Sequence, residues 1–182
     1  VKGREIHNFT FKKFVINKAL VALLASEYTL EEAEHLRETV YLFYDNAKDE
    51  KIGDAVGVIR LYPGVRAAWV RQALADPGLK AAVITTFGSG NGPSDPDFLR
   101  SLQEARERGV TLVNVTQCVG GSVQQGRYGT SIGFEKMGMV SGHDITVEAA
   151  ITKLMFLLGQ GCGPGEVSNL FAVPLCGEMS PA

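Results

Sequence analysis

The residues best placed to do chemistry lie in one Gly-rich stretch, Gly88-Ser89-Gly90-Asn91-Gly92-Pro93, which follows the β-branched run Val83-Ile84-Thr85-Thr86-Phe87. The glycines remove the Cβ atoms that would keep a ligand or a neighbouring backbone at a distance. Asn91 adds an amide that can both donate and accept hydrogen bonds. Two readings of Asn91 stand side by side: a turn residue tolerating left-handed backbone geometry, or a ligand contact on a loop at a strand end. Ser94-Asp95-Pro96-Asp97 then opens a helical pattern. In open α/β sheets such strand–loop–helix junctions are where small molecules bind.

The familiar catalytic patterns do not fit. The Gly-rich stretch is neither GxGxxG nor the P-loop spacing, so nucleotide binding has little support. No GxSxG elbow surrounds Ser89. His7, His35 and His143 are scattered and read as surface or capping residues. Cys118 follows a strand pattern but has no neighbouring His or basic cluster, which favours a buried structural thiol over a nucleophile. Asp144 and Glu148 flank Thr146 and suit the positive end of a helix starting there. Lys153 reads as a solvated residue of that helix, and Tyr128 as either a binding-loop hydroxyl or a packing residue. Residue types and spacing alone indicate a ligand-binding or oligomerising α/β domain.

The elements that must position these residues emerge from Gly53 onward. Val56 to Tyr62, Ala81 to Phe87 and Val110 to Thr116 are β-rich runs, the second so uniformly apolar that it predicts a strand buried on both faces. Between them lie two helical stripes, Val65-Trp69-Ala73 with Val70 and Leu74, and Phe98-Leu99-Leu102-Ala105. A turn and a short helix are expected over 126–138, and a short strand over Met139-Val140-Ser141. A last helix capped by Thr146 carries the stripe Val147, Ile151, Leu154, Met155 and Leu158 and ends at Gly159 to Gly165. Alternating strands and helices predict a Rossmann-like or flavodoxin-like α/β sandwich around a parallel sheet over residues 53–182. Residues 1–52 read as a separate, mostly helical segment, with helices over 11–22 and 30–44.

Composition narrows the classes further. The chain has 182 residues, 45% hydrophobic and 21% charged, as expected of a soluble domain with an attached segment. A formal net charge of −2 gives no electrostatic footprint for nucleic acid or an anionic membrane. The apolar run from Ala19 to Ala25 is too short to span a bilayer and lacks the flanks of a secretion signal. Cys118, Cys162 and Cys176 follow neither metal nor disulfide spacing, which points to the cytoplasm. A first residue of Val rather than Met predicts a processed chain or a fragment.

Several motifs in order resemble the C-terminal domain of the asparaginase family, in particular its cytoplasmic type I branch, which includes animal asparaginase/lysophospholipase forms. They are Leu61-Tyr62-Pro63-Gly64, Thr86-Phe87-Gly88-Ser89-Gly90-Asn91-Gly92-Pro93, Val113-Asn114-Val115-Thr116-Gln117-Cys118 and Gly126-Arg127-Tyr128. The series continues with Ser141-Gly142-His143-Asp144 through Lys153-Leu154 and closes with Cys176-Gly177-Glu178-Met179-Ser180-Pro181. The resemblance implies hydrolysis of L-asparagine to L-aspartate and ammonia by a threonine nucleophile, with no metal or organic cofactor. It implies a homodimer in which this domain completes the neighbour's active site, with Asn91 in a substrate-binding role. Thr116 and Cys118 match positions around an allosteric asparagine site, where Thr85 stands in place of an arginine, and that substitution argues against cooperativity. The family's TGGT and GTDT catalytic motifs do not occur in this sequence. No catalytic residue can therefore be assigned, and the chain alone is expected to hydrolyse nothing. The alternatives are a non-catalytic ligand-binding or dimerisation module, or part of a lysophospholipase or amidotransferase of the same family.

Overall fold

The structure is a computed structural model that describes residues 55–118, 120–126 and 129–181. The helices expected at 11–22 and 30–44, the boundary at residue 52, and Arg127 and Tyr128 lie outside the described residues. The described elements are β1 (Val56–Arg60), α1 (Ala67–Leu74), β2 (Ala81–Thr86), α2 (Pro96–Glu107), β3 (Thr111–Thr116), α3 (Gly129–Lys136), β4 (Val140–Ser141), α4 (Val147–Gly159) and α5 (Pro164–Phe171). The four strands pair in parallel in the order β1-β2-β3-β4.

That order dictates the layers. Successive right-handed crossovers moving one way across a sheet must lie on the same face. Accordingly Val70 and Leu74 of α1, Phe98, Leu102 and Ala105 of α2, and Phe134 of α3 pack on Ile59, Ala82, Ile84 and Leu112. The alternate residues of the same strands, Ala81, Val83, Val113 and Val115, face Ala150, Leu154 and Leu157 of α4 and Val167 and Phe171 of α5. Every residue of β2 is buried, as its apolar and β-branched composition requires, and so is every residue of β3, despite the polar Asn114. The result is the expected three-layer α/β sandwich.

Local signals set the helix ends. Asp95 caps α2 by accepting from the Asp97 N–H (3.2 Å), with Pro96 in the first turn. Thr146 caps α4 by accepting from the Ala149 N–H (3.2 Å). Gly109 ends the α2 connection with φ +89°, a conformation open to glycine. No described helix is long and apolar enough to cross a membrane.

Three expectations need correction. Trp69 is 48% exposed, because α1 turns Val70 and Leu74 inward and leaves their neighbour outside. Gly159 to Gly165, read only as the end of the preceding helix, also leads into another: α5 starts at Pro164, where the Glu166 carboxylate accepts from the Gly163 N–H (2.9 Å). Most importantly, Lys153 is not solvated but 1% exposed. The buried face of α4 is Ala150, Lys153, Leu154 and Leu157, rotated by about one residue from the expected stripe.

What buries Lys153 is the closing segment, residues 172–181. Its Nζ donates to Phe171 O (2.8 Å) and Val173 O (2.5 Å) and pairs with Glu178 Oε1 (2.6 Å), so three donors meet three oxygens. Glu178 also accepts from the backbone N–H groups of Leu175 and Cys176. Burial would raise the Glu178 carboxyl, but the ammonium and those N–H groups outweigh it and hold it down at about 2. A second tie joins the segment's far end to the start of α4: Ser180 donates through N–H (2.8 Å) and Oγ (2.6 Å) to Asp144. Asp144 is thus chiefly a fastening for the closing segment, and its carboxyl is lowered by those bonds.

Candidate functional site

At the carboxyl end of the sheet, side chains from β3 and its following loop bind the ends of all three long strands together. Gln117 Nε2 donates to Leu61 O (2.7 Å), just beyond β1, and to Thr85 O (2.9 Å) on β2. Its backbone N–H reaches Thr86 O (2.9 Å), prolonging the ladder by one bond. Thr116 Oγ1 donates to Gly88 O and accepts from the Cys118 N–H (3.0 Å). Asn114, fully buried in the middle of β3, accepts from Thr86 Oγ1 (2.6 Å) and donates through Nδ2 to Gly90 O (3.0 Å).

The Gly-rich loop folds back on itself over this platform. Phe87 and Asn91 exchange N–H···O bonds at 2.8 Å each, and the Gly90 N–H also turns back to Phe87 O (3.1 Å). Gly90, at φ +102°, lies so close that a Cβ would stand 2.7 Å from Val123 Cγ1 and 3.0 Å from Asn114 Nδ2. From above, the segment 120–126 covers the loop. The Gln124 N–H donates to Ser89 O (2.9 Å), and the Val123 N–H to the carbonyl of His143 (2.8 Å). His143 itself has φ +49° and is the one non-glycine residue with positive φ among those described. Asn91 therefore does not occupy the left-handed region; the glycines at 88 and 90 do. The turn reading of its side chain loses its premise.

Asn91 sits half-buried on the outer limb of the bridge, its backbone N–H and carbonyl both paired with Phe87. Thr116 and Cys118 are brought together with Gly88 at the loop's base. Thr85 is not brought with them. It alternates with Thr86, and so faces the α4 layer with Val83 while Thr116 faces the opposite layer with Asn114. The Thr85 hydroxyl is buried without a hydrogen-bond partner. Cys118 is exposed, contrary to the buried thiol expected, because the chain leaves the sheet at Gln117 and carries it out on the loop. The thiol pushed up to about 12, by burial first and then by the facing Glu178 carboxylate, is Cys176. Among the described residues no three of His, Cys, Asp or Glu converge on one point.

Residue-by-residue reading missed Asn114 and Gln117 as functional supports. The available signal was a polar residue inside a buried strand, Leu112-Val113-Asn114-Val115. The strand order also bears on the site. It runs 1-2-3-4 without reversal, so no switch-point crevice opens among the described strands. A cleft of about 720 Å³ lies instead at the amino ends of the strands, lined by Ala55, Lys80, Arg108, Val110, Leu158 and Pro164. The converging polar groups of Asn114, Thr116 and Gln117 lie at the other, carboxyl end, and the chemistry favours that end.

Comparison with known proteins identifies the family of this domain. Residues 55–171 match the Glutaminase/Asparaginase C-terminal domain. L-asparaginase 1 of Escherichia coli K12 is 40% identical over 126 residues, covering 69% of this chain and 37% of that protein. The human 60 kDa lysophospholipase is 46% identical over 127 residues, covering 69% of this chain and 22% of that protein. The crystal structure of L-asparaginase I from Vibrio cholerae superposes with a TM-score of 0.64 at 41% identity, covering 69% of this chain and 37% of that one. The chain thus spans well under half the length of these relatives.

Proposed function

The chain belongs to the Glutaminase/Asparaginase C-terminal domain family, and on that premise we propose that it is the C-terminal part of an amidohydrolase converting L-asparagine to L-aspartate and ammonia. One observation carries the reading: a Gly-rich loop at the carboxyl ends of buried strands, bonded from below by Asn114 and from above by Gln124, holds Asn91 at its outer limb. Such a preorganised amide suits the α-carboxylate or α-ammonium of an amino acid, or a catalytic side chain beside it. The reaction is acyl transfer: a threonine hydroxyl attacks the side-chain amide carbon, ammonia departs, and water hydrolyses the ester. No residue of this chain takes the nucleophile's part, so the chain alone is expected to release no ammonia. The proposal includes a domain starting near residue 53, a homodimer whose neighbour receives Asn91, and a place in the cytoplasm. Thr116 and Cys118 form its effector end, since a ligand at Cys118 would pull on Gly88 through the Thr116 hydroxyl.

The test is a domain exchange. Residues 55–181 placed in the Escherichia coli enzyme in lieu of its matching domain should preserve ammonia release from L-asparagine. Asn91→Ala in that hybrid should cut kcat/KM by about tenfold or more, the worth of one hydrogen bond to a charged group. A folded, dimeric hybrid that is inactive, or one indifferent to Asn91→Ala, would sink the proposal. The 46% identity to the human lysophospholipase favours a second reading, ester hydrolysis of a lysophospholipid. The same exchange made in the human protein and assayed for fatty acid release separates the two.

A further inference from the structure

We infer that Asn114 is a positioning residue that aims Asn91 through the peptide unit joining Gly90 to Asn91. This rests on the reading of Asn91 as a ligand contact. The Gly90 carbonyl and the Asn91 N–H belong to one planar unit. Its N–H is bound to Phe87 O (2.8 Å) and its carbonyl to Asn114 Nδ2 (3.0 Å). Two bonds on opposite edges of a plane prevent it from rotating about the chain axis. That plane sets where the next residue's Cα–Cβ bond begins. Without the second bond, Gly90 is the residue least able to hold the plane, since φ +102° lies in a range where glycine moves freely.

The other end of Asn114 is used to fix which way its amide faces. Thr86 Oγ1 donates to Oδ1 (2.6 Å), so the oxygen is turned toward β2 and the NH2 toward the loop. Nothing else demands an amide here. Asn114 is fully buried, its strand neighbours Val113 and Val115 are core residues, and a buried amide costs stability unless both ends are matched. It cannot touch a ligand itself, because the Gly-rich loop lies over it. Its effect must pass through Gly90.

The 182-residue chain with ¹⁵N labelling tests this by amide and side-chain NH2 resonances. Asn114→Asp keeps the oxygen that accepts from Thr86 but, when ionised, puts a second acceptor against Gly90 O. Burial raises the introduced carboxyl above the ordinary range near 3.9. At pH 7.5 the Gly90 and Asn91 resonances should be displaced. On acidification toward pH 5 they should return toward the wild-type positions, because the protonated acid donates to Gly90 O. Asn114→Leu should displace them at every pH. Asn91 resonances that stay at their wild-type positions in both folded variants would overturn the inference. Should neither variant fold, the wild-type chain decides: the Asn114 NH2 protons must exchange slowly with solvent, and fast exchange overturns the inference. An Asn91→Ala hybrid of unchanged activity would refute the ligand role of Asn91 and leave these resonances as they are, so the two failures are told apart.

Discussion

Lys153→Met is the perturbation whose consequences the structure sets most tightly. In the wild type the ammonium is 1% exposed and gives its protons to Phe171 O, Val173 O and Glu178 Oε1. Methionine fills much of the same volume but leaves both carbonyls short of a donor and the Glu178 carboxylate, 10% exposed, without a counter-charge. Breaking one side of a buried pair costs about 3–5 kcal/mol. The Glu178 carboxyl, seen from the other side of the same pair, gives a similar scale: held at about 2 against an ordinary 4.5, it is worth about 3 kcal/mol of stability. Because this value is depressed on folding, that stability is present above pH 4.5 and is lost as pH falls toward 2. Burial lowers Lys153 from its ordinary 10.5. In the window just below 10.5 the unfolded chain therefore holds more protons, and stability rises with pH there. In Lys153→Met the buried carboxyl has no ammonium to hold it down, so it takes up a proton on mild acidification. The gap between variant and wild type should therefore be widest near pH 7 and narrow toward pH 4. Urea unfolding of the full chain, followed by circular dichroism at several pH values, reads this directly. A loss under about 1 kcal/mol at pH 7, or a loss that does not change with pH, would refute the account of Lys153 as a charged, load-carrying group.

Two further outcomes follow from the geometry. Gly90→Ala should lower stability by about 1–3 kcal/mol, because φ +102° is strained for alanine and the new Cβ would meet Val123 Cγ1 at 2.7 Å; an unchanged melting temperature would contradict the tight stacking of loop, Val123 and Asn114. Toward a thiol reagent near pH 8, the exposed Cys118 should react at once, while Cys176, with its thiol at about 12 and hydrogen-bonded to Glu178, should react only on unfolding. Prompt labelling of Cys176, identified by peptide mass, would mean that the closing segment does not stay fastened.

What could be read in the sequence was whatever is written locally. Ala81 to Thr86 announces a buried strand and Thr111 to Thr116 a strand by composition, and Asp95-Pro96 and Thr146 announce helix starts by the chemistry of their side chains. The Gly-rich loop announces itself because glycine is the residue that accepts φ values such as those at Gly88 and Gly90. The buried face of α4 could not be read this way. That helix is apolar on most sides, so periodicity leaves its rotation open. The choice is made by Glu178, 25 residues downstream, which draws Lys153 inward. Trp69 failed for the opposite reason: an apolar residue on a helix at the edge of a layer is under no obligation to be buried.

The residues that were missed share a physical cause. Asn114, Gln117 and Lys153 each direct side-chain donors at backbone carbonyls between 18 and 56 positions away, and such bonds leave no periodic trace. All three hold irregular chain: Asn114 the Gly-rich loop, Gln117 the turn after β1, and Lys153 the closing segment. Irregular segments have no ladder to satisfy their carbonyls, and a buried carbonyl without a donor costs about as much as a lost hydrogen bond. Where a loop or strap must lie against a core, the core has to supply the donors. A Lys, Asn or Gln within or at the end of an apolar run is then the mark of such a supply, whether in Val113-Asn114-Val115, Val115-Thr116-Gln117 or Ile151-Thr152-Lys153-Leu154. On that argument the polar interruptions of the buried elements point to the loops that matter, and two of the three here point to the carboxyl end of the sheet, where Asn91 is held.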